Sequence, residues 1–131
     1  KFKSSKKNKK KFVELLGSGK PLREFLFNDD LSEAIFLLLK LSKKKILKVT
    51  KNDFPIFNIG TGKSITIKNL ANLIKKIVQY EGKIRFNNFY PDGTKNKNLN
   101  SNKIKALGWR PKIKLEAGIQ KILDQKKFIN E

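Results

Sequence analysis

The chain has 131 residues, which is enough for one domain with a modest hydrophobic core. It contains no cysteine and no histidine, which excludes disulfides, metal sites built on either residue and a histidine general base. The formal net charge of +20 comes mostly from lysine, because arginine occurs only as Arg23, Arg85 and Arg110.

In the first half of the chain, the patterns predict a hairpin, a helix and a loop. An apolar run at 12–16 and an alternating run at 23–27 flank the glycine-rich turn 17–21, which is typical of a β-hairpin. The sequence N-D-D at 28–30 supplies capping side chains for a helix that is apolar on more than one side, so we expect that helix to be well buried. Residues 40–53 are polar and lysine-rich, and they are predicted to form a loop.

The second half predicts a buried strand at 54–59 and then a helix capped by Thr66, with its apolar face within 70–78. The remaining predicted elements are, in chain order, a strand at 83–86, a Pro-Asp-Gly turn at 90–94, a short helix from Ser101 to Gly108 and an amphipathic helix at 115–128. The order of helices and strands predicts a mixed α/β fold. Trp109 follows the end of the short helix, and we expect it in the core.

Gly62-Lys63-Ser64 matches the end of a phosphate-binding P-loop. That motif needs an earlier glycine where this chain has Phe57. We therefore interpret the segment as a structural turn whose glycines relieve backbone constraints.

The net charge first suggests a nucleic-acid partner. However, side chains that contact bases and phosphates favour arginine, and aromatic side chains are not interleaved with the lysine runs as a stacking surface requires. No apolar run approaches the length of a membrane span, and no signal-peptide pattern is present. We expect a cytoplasmic protein with no membrane contact and no specific nucleic-acid partner.

Six short motifs follow one another along the chain: G-S-G-K-P-L-R-E-F at 17–25, D-D-L at 29–31, F-N-I-G-T-G at 57–62, P-D-G-T at 91–94, A-L-G-W-R-P at 106–111 and L-E-A-G-I at 115–119. This order resembles the C-terminal part of the extended short-chain dehydrogenase/reductases that act on nucleotide sugars. The combination of R-E-F with P-D-G-T is most similar to the GDP-L-fucose synthase group. The resemblance covers essentially the whole chain.

The resemblance implies that residues 1–131 are the C-terminal substrate-binding portion of a Rossmann-type α/β enzyme, with the N-terminal dinucleotide-binding half missing. Residues 29–62 would return to the Rossmann sheet, and residues 63–131 would form a small α/β C-terminal lobe. The chain contains no methionine, which also favours a fragment or a processed piece.

The resemblance further implies that the full-length enzyme converts GDP-4-keto-6-deoxy-D-mannose to GDP-L-fucose by epimerisation and NADPH-dependent reduction. NADP(H) would be bound mainly by the missing half, which would also carry the catalytic residues. We therefore expect no catalytic, cofactor-binding or metal-binding residue in this segment, which should be inactive by itself. A homodimer is implied for the full-length enzyme.

Four positions match substrate contacts of that family, namely Lys1, Leu16, Arg23 and Asp92. Arg23 offers a planar fork for a diphosphate, although it could instead pair with Glu24 or Asp29. Asp92 could accept a hydrogen bond from a sugar hydroxyl or cap its own turn. Lys1 is either a basic contact or one solvated lysine among many.

Leu16 stands where the family usually has tryptophan, so it can pack against the substrate but offers no stacking face. Lys95-Asn96-Lys97 also lacks a basic contact of the family. These departures leave open another nucleotide-sugar epimerase or dehydratase as the parent enzyme. A stand-alone basic nucleic-acid-binding module is the alternative from a different class of protein.

Overall fold

The computed structural model describes residues 1–51 and 55–129, and it confirms the predicted α/β class. The helices are α1 (Phe2–Lys7), α2 (Asn28–Lys40), α3 (Lys43–Thr50), α4 (Ile67–Ile77), α5 (Asn102–Ala106) and α6 (Leu115–Ile129). The strands are β1 (Phe12–Leu16), β2 (Leu22–Glu24), β3 (Ser64–Thr66), β4 (Lys83–Asn87) and β5 (Asn96–Lys97). No helix within the described ranges is both long and apolar enough to cross a bilayer.

The described residues form two compact units. The first comprises Lys1–Arg23, Ser64–Lys97 and α6 from Ile119 onward, and the second comprises the described part of Glu24–Lys63 together with Asn98–Gly118. This grouping places 98–118 with 24–63, whereas the sequence suggested a division into 29–62 and 63–131. The assignment of 29–62 to a Rossmann sheet stays a prediction.

In the first unit, β1 and β4 form a parallel pair in which Phe12 lies opposite Lys83 and Leu16 lies opposite Asn87. A second small sheet has the order β3-β2-β5, with β2 and β5 parallel. The buried core beside the β1–β4 pair consists of Phe2, Val13, Ala71 and Tyr80. The Tyr80 ring meets Phe2 edge-on at 5.7 Å, and its hydroxyl donates to the carbonyl of Lys10 at 2.9 Å.

The predicted hairpin is wrong, since β1 and β2 lie in different sheets. The first strand was located correctly, whereas the second is Leu22–Glu24 rather than 23–27, and the partners of these two strands are the later strands β4, β3 and β5. A glycine-rich connection allows a reversal without requiring the flanking strands to pair, so the local sequence could not decide between these arrangements.

The second unit is built around Ala34, Ile104 and Trp109, which are almost fully buried. The indole Nε1 of Trp109 donates to the carbonyl oxygen of Asp30 at 3.1 Å, which confirms the predicted core position of this tryptophan. Helix α2 provides Ala34, and α5 provides Ile104.

Helix α2 is present as predicted, but two details were wrong. The residue before it is Phe27, and no side chain caps its N-terminus, so Asn28 and the two aspartates lie in the first turn. Asp30 and Ala34 are its buried residues, whereas several large apolar side chains are exposed, namely Leu31, Ile35, Phe36 and Leu39. The described part of this chain therefore covers only one side of the helix.

Two further predictions between residues 40 and 59 were wrong. The expected loop contains α3, whose N-cap Ser42 accepts a hydrogen bond from the backbone amide of Lys45. Residues 55–59 lie in no strand, and Phe54 is outside the described residues. The lysine-rich composition did not predict α3, because lysine is a good helix former that also occurs in loops.

Among the later elements, α4, β4, α5 and α6 were predicted correctly, whereas the short strands β3 and β5 were not predicted. Thr66 caps α4 by accepting from the amide of Asn69 at 3.1 Å, β4 covers 83–87, and α6 begins at Leu115. These elements carry strong local signals, namely a capping hydroxyl and apolar side chains at helical spacing.

Candidate functional site

Two loops of the first unit leave the same edge of the β1–β4 pair, because the strands are parallel. The first loop comprises residues 17–21, and the second loop comprises residues 88–94. Asn87 holds both of them at their starts, since its carbonyl accepts from the amide of Gly17 at 3.0 Å and from that of Tyr90 at 3.4 Å.

These loops border an open cavity of about 170 Å³. Its lining residues are Leu16, Gly19, Pro21, Arg23, Ile67, Pro91, Asp92 and Gly93. The structure thus brings together three of the four predicted substrate contacts, Leu16, Arg23 and Asp92. The fourth, Lys1, does not line the cavity, and its ammonium group donates to the carbonyl of Glu14 at 3.2 Å.

The guanidinium of Arg23 is held at one nitrogen. Nη1 donates to the carbonyl of Leu22 at 2.7 Å and to the carbonyl of Thr94 at 2.8 Å. The other terminal nitrogen, Nη2, lies where a Cβ on Gly93 would approach it to 3.4 Å, so glycine lets the second loop pass close to the arginine. Arginine has five N–H donors, and these two contacts use only those of Nη1. The side chain therefore retains donors for an anion in the cavity.

Asp92 links the two loops. Its Oδ1 accepts from the amide of Ser18 at 2.8 Å, and its Oδ2 accepts from the hydroxyl of the same serine. Gly17 has a φ of +80° and allows this approach, since a Cβ there would lie 2.6 Å from Oδ1. The aspartate therefore caps the first loop, a contact that the sequence analysis did not anticipate.

The hydroxyl of Ser18, followed by its backbone amide, lowers the pKa of Asp92, and the charge of Lys20 acts in the same direction. The carboxylate is therefore ionised at neutral pH. Each carboxylate oxygen has more than one acceptor site, so Asp92 can hold the loop and still accept a hydrogen bond from a ligand hydroxyl.

Leu16 ends β1 and is 56% exposed at the wall of the cavity. Its branched side chain gives the cavity an apolar wall but neither a hydrogen-bond donor nor a planar face. The structure therefore places this departure from the family pattern directly at the candidate site.

In the second unit, the carboxylate of Glu24 holds the turn Gly60–Gly62. Glu24 Oε1 accepts from the Thr61 hydroxyl at 3.1 Å and from the Gly62 amide at 2.5 Å, and its Oε2 accepts from the Leu99 amide at 2.9 Å. Partial burial raises the pKa of Glu24, but the hydrogen bonds from Leu99, Gly62 and Thr61 outweigh it and lower the pKa.

The turn therefore does not fit the diphosphate of a dinucleotide, because Glu24 already occupies donors that a phosphate would need. Sequence reasoning considered Glu24 only as a partner of Arg23, and it missed Ser18 entirely. Both residues stand inside the quoted motif at 17–25, which was the available signal. Within residues 1–51 and 55–129, no cluster of three acidic side chains could hold a metal ion.

No protein-family model matches the chain. Among curated proteins, it is 40% identical over 124 residues to GDP-L-fucose synthase 1 of Arabidopsis thaliana. The aligned residues are 94% of this chain and 35% of the relative. The chain thus spans about a third of the length of the curated relatives that it matches.

Two solved structures also match about nine tenths of this chain and about a third of their own length. A GDP-6-OMe-4-keto-L-xylo-heptose reductase from Campylobacter jejuni matches with a TM-score of 0.81 and 38% identity, over 92% of this chain and 35% of the other. A GDP-mannoheptose C4 reductase from the same organism, solved with NADP bound, matches with a TM-score of 0.76 and 35% identity, over 90% of this chain and 35% of the other. The relatives named here are enzymes that are longer than the present chain.

Proposed function

We propose that this chain, which belongs to the extended short-chain dehydrogenase/reductase family of the GDP-L-fucose synthases and related GDP-sugar reductases, forms the GDP-sugar-binding part of such an enzyme. The observation that carries the proposal is the convergence of Arg23, Asp92 and Leu16 on one cavity. A cationic fork suits the phosphate oxygens of a sugar diphosphate, and a carboxylate can accept hydrogen bonds from its sugar hydroxyls.

The size of the cavity indicates which part of the ligand it would hold. Its volume of about 170 Å³ is below the roughly 300 Å³ at which sites for whole small molecules begin. We therefore assign to it the diphosphate, held by the free N–H groups of Arg23, and an adjoining sugar hydroxyl accepted by Asp92. Lys1 lies outside this cavity and stays a predicted further contact.

For the full-length protein we propose conversion of GDP-4-keto-6-deoxy-D-mannose to GDP-L-fucose, with NADPH as the reductant. NADP(H) would be bound mainly outside this segment, which agrees with the occupied donors of the turn Gly60–Gly62. We further propose a cytoplasmic homodimer, without membrane or specific nucleic-acid partners. In-frame coding sequence upstream of Lys1 with a G-x-x-G-x-x-G motif and a Tyr-x-x-x-Lys motif would support this enzyme, and unrelated sequence there would contradict it.

A second candidate is an enzyme that acts on another GDP-sugar. Leu16 favours it, because a leucine at the cavity wall contacts a substrate differently from a tryptophan. The similar reductase named above acts on a GDP-linked heptose. The two candidates share the diphosphate contact of Arg23, so the same first experiment applies to both.

The experiment is a titration of the 131-residue chain with GDP, followed by NMR chemical shifts. Arg23→Lys should weaken binding about tenfold, since lysine lacks the planar fork that fits a phosphate. Arg85→Lys is the matched control, because Arg85 lies on β4 of the same unit over the ring of Phe12 and does not line the cavity. We expect the control to change the affinity by less than about twofold.

Equal losses in the two variants, or no loss in Arg23→Lys, would show that GDP does not use the planar fork of Arg23, and either result would contradict the proposal. A single-stranded DNA oligonucleotide tests the remaining alternative. Binding to DNA that is tighter than binding to GDP and falls steeply with salt would favour the nucleic-acid-binding module.

A further inference from the structure

Two aromatic side chains of the second loop are exposed. Phe89 is 87% exposed and Tyr90 is 46% exposed. Their ring centroids lie 5.8 Å apart with an interplanar angle of 84°, which is a favourable edge-to-face geometry. The two rings are exposed together on one loop, which makes this pair a candidate contact surface.

The pair directly precedes the cavity-lining residues of the second loop. The amide of Phe89 donates to Oδ1 of Asn87 at 3.1 Å, and Asn87 is the register partner of Leu16. Tyr90 is followed directly by Pro91, Asp92 and Gly93, which line the cavity. The rings therefore belong to the same loop as Asp92, the proposed contact for a sugar hydroxyl.

We infer that Phe89 and Tyr90 form a stacking surface for the purine base of the nucleotide whose diphosphate Arg23 binds. The inference rests on the proposed function, and it names the residues that recognise the base. Aromatic rings present flat faces on which bases stack, whereas Leu16 provides only aliphatic contact.

The spacing along the loop fits this arrangement. Tyr90 and Asp92 are two residues apart, so their backbones are separated by at most about 7 Å. In a nucleoside diphosphate, one ribose separates the base from the phosphates. A ligand anchored by its diphosphate at Arg23 therefore has its base within reach of the loop that carries both rings.

The experiment compares GDP with inorganic pyrophosphate, which lacks the base, in NMR titrations of the 131-residue chain. The test variant is Phe89→Leu with Tyr90→Leu, which keeps apolar bulk but removes both aromatic faces. Phe36→Leu is the matched control, since Phe36 is 63% exposed but does not line the cavity. Thermal unfolding followed by circular dichroism verifies that both proteins are folded.

We expect wild type to bind GDP more tightly than pyrophosphate, and the double variant to lose about tenfold in GDP affinity while keeping its pyrophosphate affinity. The control should match wild type for both ligands. The inference is overturned if the double variant binds GDP as wild type does, or if Phe36→Leu loses as much. In either case the proposed function stands, because GDP still binds, whereas a wild type that binds neither ligand overturns both.

Discussion

Asp92 and Ser18 lie 74 positions apart in the chain, yet the carboxylate of Asp92 accepts from the backbone amide of Ser18 at 2.8 Å and also from its hydroxyl. This contact joins the two loops that border the candidate site. It also favours the charged form of Asp92 and so lowers the pKa of that carboxyl. The loop that carries the proposed ligand contacts is therefore held by a side chain that is itself one of those contacts.

Ser18→Ala should raise the pKa of Asp92 toward its ordinary value, because the larger of the two hydrogen-bond contributions is removed and the backbone contribution remains. A carboxyl with a lowered pKa stabilises the fold at neutral pH and loses that contribution as pH falls through the lowered pKa. The variant should show this loss at a higher pH. A pH titration of the Asp92 carboxyl carbon by NMR measures the shift.

Ser32→Ala is the control for that titration, because the Ser32 hydroxyl donates within α2 to the carbonyl of Asn28 at 3.0 Å. The pKa of Asp92 should be the same in this variant as in wild type. An unchanged pKa in Ser18→Ala would show that the hydroxyl contact does not hold the carboxylate in solution.

Glu24→Gln should destabilise the fold by about 1–2 kcal/mol at neutral pH, because the charge-assisted hydrogen bonds to the turn Gly60–Gly62 and to Leu99 are weakened. The pKa of Glu24 is lowered, so its contribution is fully present above its ordinary value of 4.5 and disappears as pH falls through the lowered pKa. Urea unfolding at a series of pH values should therefore show the difference from wild type shrinking in acid.

Glu81→Gln provides the comparison for Glu24, since it makes the same chemical change at an exposed position of the first unit. It should alter the free energy of unfolding by no more than about 0.5 kcal/mol. A difference between Glu24→Gln and wild type that persists unchanged in acid would mean that the carboxylate charge is not what holds the turn.

Asp30→Asn should lower the free energy of unfolding by about 1–3 kcal/mol. Asp30 is 1% exposed, and its two carboxylate oxygens each accept a backbone N–H at 3.0 Å, from Lys112 and Ile113. Asparagine would keep an oxygen for one of these backbone N–H groups but would place its NH₂ group against the other. That NH₂ group and that backbone N–H would then both lack an acceptor. Trp109, the only tryptophan, reports on this part of the chain because its indole donates to the carbonyl of Asp30.

The neighbouring change Asp29→Asn tests whether a negative charge in the first turn of α2 explains the effect. Asp29 is exposed in the same turn, so only the interaction with the helix dipole is lost there, about 0.5 kcal/mol. If the two variants unfold at the same urea concentration, the buried hydrogen bonds of Asp30 contribute no more than the charge.

The sequence predicted part of the candidate site because its residues stand in short motifs. Arg23 and Asp92 were selected from those motifs and Leu16 from its position in the family pattern, and the structure places all three at one cavity. Their detailed roles could not be predicted, since they depend on contacts between loops. Whether Asp92 capped its own turn or the first loop could be decided only once Ser18 was seen beside it.

The sequence by itself determined the elements whose signals are local, such as the hydroxyl cap of Thr66 and the apolar spacing of α6. Only the tertiary structure decided the strand pairing, in which β1 lies beside β4 rather than β2. Alternating side chains specify which face of a strand is buried, but backbone hydrogen bonds can be made with any strand. The cavity exists because that parallel pairing brings two distant loops to one edge of the sheet.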